Sequence, residues 1–286
     1  EGMLTSVTFA PSLGISGNSF TANLGKIKNK GVEFNLNAVA IRKPEQDLEW
    51  SLMLQAAHNK NKIVEISQSL KNINEENNAN KTTPLAVYEE GESMSAIKAV
   101  TSLGIDPITG QELFLKKDGS VTYEWDAMDK VICGDSEPKV FGNIGTNLYW
   151  RGWNLNMVFK YDLGGDYYNS TLAQRVEGAD PRSNADRRVL SDRWKEPGQY
   201  ALYKNIKEYS STYVSSRFVQ KENTLQLTSV SLSYDLKREW LNQWGINTMR
   251  LSFYMNDVFR ASTVKSERGL DYPFQRSFVF GLNISF

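Results

Sequence analysis

The last nine residues of the chain alternate between apolar and small or polar side chains. Phe278, Phe280, Leu282, Ile284 and Phe286 occupy every second position. Successive side chains of a β-strand point to opposite faces of its sheet, so this pattern predicts a strand with one apolar and one mostly polar face. A sheet built from such strands needs an apolar environment on one side.

The same alternation recurs along the chain, with turn residues between the runs. An aromatic content of 12% and only eight prolines favour strands further. We predict an all-β chain of about eight antiparallel strands with little helical periodicity. The other predicted strands are Met3 to Ala10, Val32 to Ala38, Glu49 to Gln55, Phe141 to Trp150, Asn154 to Leu163, Ser229 to Leu236 and Met249 to Asn256.

Two architectures fit a sheet with one dry and one wet face. The dry face is the core of a soluble sandwich, or it meets lipid in a membrane barrel. The alternating pattern alone does not distinguish these two architectures. The connections between the predicted strands, however, alternate between short and very long. The short ones are Arg151-Gly152, 43–47 and 237–247, and the long ones are about 67–139 and 164–223. Membrane barrels have short periplasmic turns and long outer loops, so the lengths favour a large antiparallel transmembrane β-barrel with two long extracellular loops.

Loop parity gives the last strand a direction. If both long segments lie outside the cell, Phe286 lies at the periplasmic side of a bacterial outer membrane. A C-terminal alternating strand that ends in an aromatic residue also resembles the assembly signal of outer-membrane barrels. Aromatic residues near the short turns are typical of an interfacial girdle, although ordinary packing at strand ends is the alternative; they are Tyr149, Trp150, Trp153, Trp240 and Trp244.

Composition excludes several other classes of protein. Thirty-three basic and thirty-three acidic residues cancel, so nucleic acid is not an expected partner. Cys133 is the single cysteine, which rules out a disulfide within the chain. No run approaches the about 18 apolar residues that a membrane helix needs. Because Glu1-Gly2-Met3 leads directly into strand-like sequence, we interpret the start as an internal cut in a longer protein.

Sequence stretches in a characteristic order cover nearly the whole chain. They are Asn29 to Glu33, Asn59 to Ile63, Gly104 to Gly110, Pro138 to Gly142, Arg193 to Gly198, Arg217 to Asn223, Leu225 to Leu227 and Val230 to Tyr234. In order and spacing they resemble the C-terminal part of the SusC/RagA-like TonB-dependent outer-membrane transporters of Bacteroidota.

This resemblance implies a barrel of about 22 strands with a plug in its lumen. It also implies energy from TonB, a SusD-like surface lipoprotein as partner, and oligosaccharide or oligopeptide cargo. The plug and the TonB box belong to the family's N-terminal half, so residues 1–286 are expected to supply only C-terminal strands and outer loops. About eight strands cannot close such a barrel, so the remaining strands must come from elsewhere.

Catalysis and metal binding have little support in the sequence. His58 is the only histidine and lies in a predicted strand, so a packing or membrane-edge role is favoured over a catalytic triad. Asp118-Gly119-Ser120 with Asp126 resembles a calcium loop of some relatives, but Lys116 and Lys117 disfavour it, and a hairpin turn is expected. Gly164-Gly165 is expected to end a strand and lacks the lysine of a phosphate-binding loop. No metal, cofactor or enzymatic activity is predicted.

Polar and aromatic residues of the long segments are the best candidates for cargo contacts, since sugar rings stack on aromatic faces. The alternative is that they form the internal core which such long segments need. The candidates are Trp125, Asp166, Tyr167, Tyr168, Asn169, Arg175, Trp194, Tyr200 and Tyr203. The aromatic residues Tyr209 and Tyr213 of the second long segment belong to the same set. We therefore predict a non-enzymatic importer; the rival functions are a soluble or surface-displayed β-sandwich that binds glycans and an outer-membrane barrel enzyme.

Overall fold

The structure, a computed structural model, describes residues 2–8, 19–265 and 275–286. Residues 9 and 10 of the first predicted strand lie outside this range. The strands are β1 Gly2–Thr8, β2 Ser19–Lys43, β3 Leu48–Ile66, β4 Ala96–Ile105, β5 Glu112–Leu115, β6 Val121–Thr122, β7 Lys130–Asp135, β8 Val140–Trp150, β9 Trp153–Tyr168, β10 Val219–Asp235, β11 Thr248–Ser262 and β12 Phe278–Ser285. The α-helices are α1 Gln68–Ala79, α2 Arg188–Ser191 and α3 Arg238–Leu241.

Eight of these strands form one sheet. They are hydrogen-bonded in the order β1-β2-β3-β8-β9-β10-β11-β12. The pairs β1–β2, β3–β8, β8–β9, β10–β11 and β11–β12 are antiparallel. The predicted all-β fold of about eight barrel strands is confirmed. Within the described ranges, no helix has the length and apolarity required to cross a membrane.

The chain divides into two compact units. We call residues 31–59, 138–164 and 222–286 the strand unit, and residues 1–30, 60–137 and 165–221 the loop unit. In the strand unit, β3 pairs with β8 from Leu48↔Trp150 to Ala57↔Phe141, and β8 pairs with β9 up to Trp150↔Trp153. This regular register keeps the alternating apolar residues of neighbouring strands on the same face.

A two-residue turn joins β8 and β9. Both turn residues have positive φ, 48° at Arg151 and 88° at Gly152, which matches the right-handed twist of a hairpin. The close approach of Asp235 requires glycine at the second position, because a Cβ on Gly152 would lie 2.8 Å from its carbonyl oxygen. The tight turn predicted at Arg151-Gly152 is present.

The apolar face of the strand unit is open. Val32 is 72% exposed and Phe280 is 74% exposed, although both belong to the alternating apolar rows that a sandwich would bury. Rows of apolar residues run across the register, such as Phe253↔Phe280, whose ring centroids are 5.2 Å apart. A sandwich would bury this face as its core, whereas a barrel turns it towards lipid.

The last strand pairs along its length with β11. The register runs from Thr248↔Ser285 to Met255↔Phe278, so each apolar residue of β12 faces an apolar residue of β11. Phe278 and Phe280 also contact each other edge-on, with centroids 5.9 Å apart. The aromatic residues near the short turns are exposed, including Trp150, Trp153, Trp240 and Trp244.

In the loop unit, the first long segment begins with a helix that the strand pattern did not predict. Ser67 caps α1 by accepting a hydrogen bond of 3.2 Å from the Leu70 backbone N–H. Leu70 is fully buried against Leu24. Asn74 then holds the returning chain at Tyr88: its side-chain amide donates to the Tyr88 carbonyl at 2.6 Å and accepts from the Tyr88 N–H at 2.9 Å.

A second, four-stranded sheet follows α1, in the order β6-β5-β4-β7. β5 and β6 form a hairpin through Asp118-Gly119, with Gly119 at φ +86° and its neighbour Ser120 donating to the Asp118 carboxylate. The turn expected at this position is present. Residues 67–139 are therefore a folded segment rather than an irregular loop.

Gly164-Gly165 does not end a strand, which corrects one prediction. β9 continues to Tyr168, and Gly164 keeps its place in the strand with φ +81° while its backbone packs against the side chain of Lys139. Glycine permits this local distortion without ending the ladder. As a result Asp166, Tyr167 and Tyr168 lie on a strand and not in a loop.

Candidate functional site

Both long segments contribute to one apolar core in the loop unit. Ala99 comes from the first long segment, whereas Val176, Tyr203 and Val214 come from the second. Phe218 is buried in the same core, and its ring lies 5.9 Å from that of Tyr168. Burial of these side chains away from water stabilises the two segments as a single body.

A buried arginine orders the second long segment. Arg193 is 0% exposed, and its guanidinium donates to four backbone carbonyls: Ala179 at 2.8 Å, Lys204 at 3.3 Å, Asn205 at 2.7 Å and Glu208 at 2.5 Å. Burial lowers the pKa of Arg193, while nearby Glu177 opposes this effect. The carbonyl oxygens replace the water that the cation loses, so Arg193 fixes the course of residues 179–208.

A second arginine, Arg217, is largely buried and connects the two segments. Arg217 donates to Glu112 through Nε at 2.9 Å and Nη2 at 2.8 Å, and it contacts Glu177 through Nη1 at 2.7 Å. Burial disfavours its charge, but the Glu177 and Glu112 carboxylates outweigh burial and raise the pKa of Arg217. Paired in this way, all three groups keep their charges in a site with little water.

A cavity of about 330 Å³ lies beside this ion cluster. Both long segments line it: Thr109, Gly110, Gln111, Glu112, Phe114 and Tyr123 from the first, and Glu177, Lys204, Asn205, Lys207, Glu208, Ser210, Ser211, Thr212 and Tyr213 from the second. Its wall combines three aromatic rings, those of Phe114, Tyr123 and Tyr213, with mostly polar and charged side chains. We take it as the candidate site of the loop unit.

Lys204 and Glu208 set the charge at the rim of the cavity. Lys204 donates from Nζ to the Ser210 carbonyl at 2.7 Å and to its Oγ at 3.1 Å. Burial lowers the pKa of Lys204, which Glu177 and Glu208 partly oppose. Hydrogen bonds from the Ser210 side chain and backbone lower the pKa of Glu208, so this carboxylate is ionised at neutral pH.

Most of the predicted cargo residues are engaged in packing within the loop unit. Trp194 is buried and donates from Nε1 to the Pro107 carbonyl at 3.0 Å, while Tyr168 and Tyr203 belong to the apolar core. Asn169 is buried and donates to Gln220 Oε1 at 3.1 Å. Trp125 donates to the Val214 carbonyl at 2.9 Å. These contacts are the ones expected if the residues form the internal core of the long segments, which was the alternative to cargo contacts.

The remaining predicted residues lie apart from this core. Asp166 forms an ion pair of 2.8 Å with Lys221 and accepts a hydrogen bond of 3.0 Å from the Asp135 N–H. Tyr167 is half-buried on β9, and Arg175 is exposed on a π-helical turn, Leu172–Glu177. Tyr200 is 90% exposed. None of these four residues lines the cavity.

Of the predicted residues, Tyr213 lines the cavity, whereas the other lining residues were missed because they carry no local motif. Glu112 and Glu177 approach each other only through Arg217, which is 105 residues from Glu112 in sequence. The stretch Ser210-Ser211-Thr212-Tyr213 is an ordinary polar run by composition. An aromatic residue directly after three hydroxyl side chains was the one available signal.

The residues considered for metal binding and catalysis have other contacts. Asp118 accepts from Ser120, and Asp126 caps a 3₁₀ turn, Ala127–Asp129, by accepting from the Met128 N–H. Over residues 2–8, 19–265 and 275–286, no group of three or more His, Cys, Asp or Glu side chains is placed to hold a metal ion. In the strand unit, Nδ1 of His58 lies 2.6 Å from the Lys139 carbonyl oxygen, the contact of a hydrogen-bonded strand residue.

The strand order and the exposed apolar face define the class of protein: the chain forms C-terminal strands of a large antiparallel transmembrane β-barrel. No protein-family model matches the chain. It is similar to TonB-dependent receptor P3 of Formosa agariphila, with 26% identity over 92% of this chain and 29% of the relative. TonB-dependent receptor P39 of the same organism is 21% identical over 100% of this chain and 33% of the relative.

Solved structures share the fold. The RagAB peptide transporter superposes with a TM-score of 0.75 at 19% identity, over 99% of this chain and 32% of that one. The RagAB peptide importer in its closed-closed state gives a TM-score of 0.74 at 20% identity, over 100% of this chain and 32% of that one. The chain thus resembles a C-terminal portion of SusC/RagA-like TonB-dependent proteins, as its motifs predicted. It spans about a third of the length of these relatives.

Proposed function

We propose that this chain is part of an outer-membrane transporter that imports oligosaccharides or oligopeptides with energy from TonB. Its strand unit supplies barrel wall, and its loop unit supplies the outer, cargo-facing surface. Similarity to TonB-dependent receptors over 92% of the chain supports the transport class. The observation that carries the proposal is the cavity, because both long segments, far apart in sequence, line it together.

The proposed orientation follows from the connections of the strand unit. The turn Arg151-Gly152 and the 3₁₀ turn Pro44–Gln46 are short, as periplasmic turns are. With these turns in the periplasm, the alternation of connections assigns the two long segments, about 67–139 and 164–223, to the cell exterior and Phe286 to the periplasmic side. Exposed aromatic residues near the short turns, such as Trp153 and Trp240, then lie at the interfacial depth that indole rings favour.

A SusD-like surface lipoprotein is the proposed partner of the loop unit. Tyr200, Leu202 and Leu190 are large apolar side chains that are exposed on the second long segment. Such side chains are enriched at protein contacts and cost free energy when left in water. We assign Tyr200, with exposed Arg175, to contacts with the lipoprotein or with cargo held beneath it. Asp166 and Tyr167 stay proposed cargo contacts.

The proposed transport cycle contains no chemical step. Cargo enters the barrel lumen when TonB acts on the plug, and both elements belong to the rest of the transporter. The relatives are described as receptors and transporters, which supports a non-enzymatic role. Within this chain the buried Arg217 and Arg193 clusters hold the outer surface in one conformation, so that binding pays little ordering entropy.

Uptake by whole cells tests the proposal. Strains of the native host that lack either this transporter or TonB are grown on mixed oligosaccharides and, separately, on mixed oligopeptides, and depletion of each compound is measured by mass spectrometry. We expect both deletions to abolish depletion of the same compounds. Reintroduction of the intact gene serves as the control. Uptake that continues without TonB contradicts the proposal.

A further inference from the structure

Lysines occupy alternate positions on two neighbouring strands. They are Lys26, Lys28 and Lys30 on β2, and Lys60 and Lys62 on β3. Every second residue of a strand points to the same face of its sheet, so each strand presents its lysines on one face. All five side chains are exposed, and all five residues belong to the loop unit. We call them the lysine patch.

The two rows of the lysine patch lie side by side. β2 and β3 are neighbours in the sheet and are joined by the short turn at Pro44–Gln46, so they run antiparallel. At the far end of the rows, Lys26 Nζ lies 2.6 Å from Glu65 Oε2, and the Ser67 N–H donates to the Leu24 carbonyl at 2.8 Å. The strands therefore stay together along the whole length of the patch.

The lysine patch faces away from the interior of the loop unit. On β3, Asn61 and Ile63 are buried, whereas Lys60 and Lys62, which alternate with them, are exposed. On β2, Ile27 packs against the core formed by Leu24 and Leu70, while the lysines on either side of it are exposed. The patch is thus open to whatever surrounds the outer face of these strands.

Most of the patch lacks a counter-charge. Lys26 forms an ion pair with Glu65, whereas the other four lysines form none with any residue that the structure describes. Glu33, the acidic residue of β2, lies on the opposite face by alternation. The carboxylates of the segment beside β3 are held by other groups: Glu89 and Glu92 by Lys98, and Glu90 by the Ile66 N–H. An unbalanced cluster of cations attracts an anionic partner.

Along each strand, the lysines come next to the apolar row that a membrane barrel turns towards lipid. The same alternation leads on β2 to Val32 and Phe34, and on β3 back to Leu52 and Leu54. A transmembrane strand needs about 9 to 11 residues, which the stretches 32–42 and 48–58 supply. With the short turn between these strands in the periplasm, as proposed above, the lysines come at the depth of the outer headgroups.

We propose that the lysine patch binds the phosphate groups of the phosphorylated glycolipid that forms the outer leaflet of bacterial outer membranes. An ammonium group binds phosphate through its charge and its three N–H donors. Lysines beside an anionic lipid surface contribute additively to binding. The inference rests on the membrane orientation given under the proposed function, but lipid binding requires neither cargo nor TonB and can be measured apart from transport.

The test uses the full-length protein, immobilised in micelles of a neutral detergent. Monophosphorylated lipid A is added in increasing amounts, and the retained lipid is measured by mass spectrometry. Lipid A without phosphate has the same acyl chains and shows how much lipid the apolar face holds by itself. We expect the phosphorylated form to bind at least about 10-fold more tightly. Replacing Lys28, Lys30, Lys60 and Lys62 together by glutamine should weaken its binding by at least about 50-fold, since each lysine contributes about 5-fold.

A matched variant separates position from total charge. Lys71, Lys81, Lys117 and Lys195 are exposed lysines of the loop unit outside the patch. Replacing these four by glutamine makes the same change in net charge and should leave lipid binding as in the wild type. Raising salt from about 0.05 to about 0.5 M should weaken binding of phosphorylated lipid A to the wild type, a measurement that needs no variant to fold.

Three results would overturn the patch as a lipid site. They are equal binding of the two forms of lipid A by the wild type, full binding by the variant of the patch, and an equal loss in the matched variant. Uptake that continues without TonB bears on the import function instead, so failure of the lipid site and failure of the proposed function are distinguishable.

Discussion

Arg217 binds Glu112 through two parallel hydrogen bonds, of 2.9 and 2.8 Å, across 105 residues of sequence. Glu112 belongs to β5 of the first long segment, and Arg217 lies in the 3₁₀ turn Ser216–Phe218 that precedes β10. The fork of the guanidinium matches the geometry of a carboxylate, which makes this pair more specific than a single ionic contact. It joins the two long segments at the wall of the cavity.

Replacing Arg217 by methionine should destabilise the loop unit. The change removes the hydrogen-bonded cation from the buried Glu177 and the largely buried Glu112, which costs about 3 to 5 kcal/mol. Limited proteolysis of the full-length protein, followed by mass spectrometry, should show faster cleavage within residues 67–139 and 164–223. Arg182→Met is the control, because it removes an ion pair with Asp180 at the protein surface. Equal cleavage of the two variants would argue against a structural role for Arg217.

Gly110→Ala should disrupt the contact between the two long segments. Gly110 has φ +71°, and a Cβ there would lie 2.5 Å from the ring of Trp194. Gly119→Ala provides the control, since Gly119 has φ +86° but no atom within 4 Å of an added Cβ. Both variants bear the cost of a left-handed backbone, and only Gly110→Ala adds an overlap, of about 1 to 3 kcal/mol. The difference in denaturant midpoint for the loop unit measures this contribution.

A lysine on the apolar face of the last strand should impair insertion of the barrel. Phe280→Lys places a charge where the side chain is 74% exposed, on the face that meets lipid. The expected cost is about 2 to 4 kcal/mol near the bilayer midplane. Asn283→Lys alters the other face of β12 and should be tolerated. The amount of folded protein in membranes, judged by its heat-dependent mobility in gel electrophoresis, distinguishes them.

Phe286 should affect assembly more than stability. Phe286 is exposed and follows the end of β12 at Ser285, so its replacement by serine breaks no ladder hydrogen bond of that strand. If the alternating strand is an assembly signal, Phe286→Ser lowers the amount of the protein that reaches the outer membrane. The unfolding midpoint of the protein that does assemble should stay unchanged. A normal membrane level would contradict the role of this residue as a signal.

Cys133 should report on opening of the loop unit. Burial raises the pKa of its thiol, which also lies 3.5 Å from the Ala99 carbonyl oxygen. The raised pKa means that the folded protein favours the neutral thiol. The contribution of this thiol to the free energy of unfolding is therefore complete below the unfolded pKa of about 8.5, and it is lost as pH rises through the folded pKa. Alkylation of the Cys133 peptide by iodoacetamide should be slow in the native protein and fast after unfolding. Equal rates would show that the thiol is accessible.

The alternation of apolar residues predicted the barrel strands because lipid and lumen impose opposite requirements on neighbouring positions. This alternation is visible within single short stretches, such as Phe278 to Phe286 and Asn154 to Leu163. The structure places strands at both stretches. The helix α1 was missed, although Ser67 and Leu70 carry a capping and core pattern. Most residues of α1 are polar, and only Leu70 and Asn74 are buried, so the helix shows little apolar periodicity. Gly164 was misread because a glycine with positive φ can stay within a strand as well as end it.

The contacts in the loop unit were beyond prediction for a different reason. Tyr168 and Trp194 have the composition of binding residues, and only the fold shows them to be buried. The partners of Arg217 come from two segments whose separation in sequence carries no signal of proximity. Local patterns in a single sequence predict strands and turns, whereas the cavity depends on the packing of segments that are distant in sequence.

The shared core has a consequence for engineering and for evolution. Ala99 of the first long segment and Val214 of the second are packed in one cluster around Phe218. Neither segment has a complete interior by itself. A chimera that receives only one of the two segments from a relative therefore inherits a mismatched interior, and a graft that changes ligand preference has to carry both segments together.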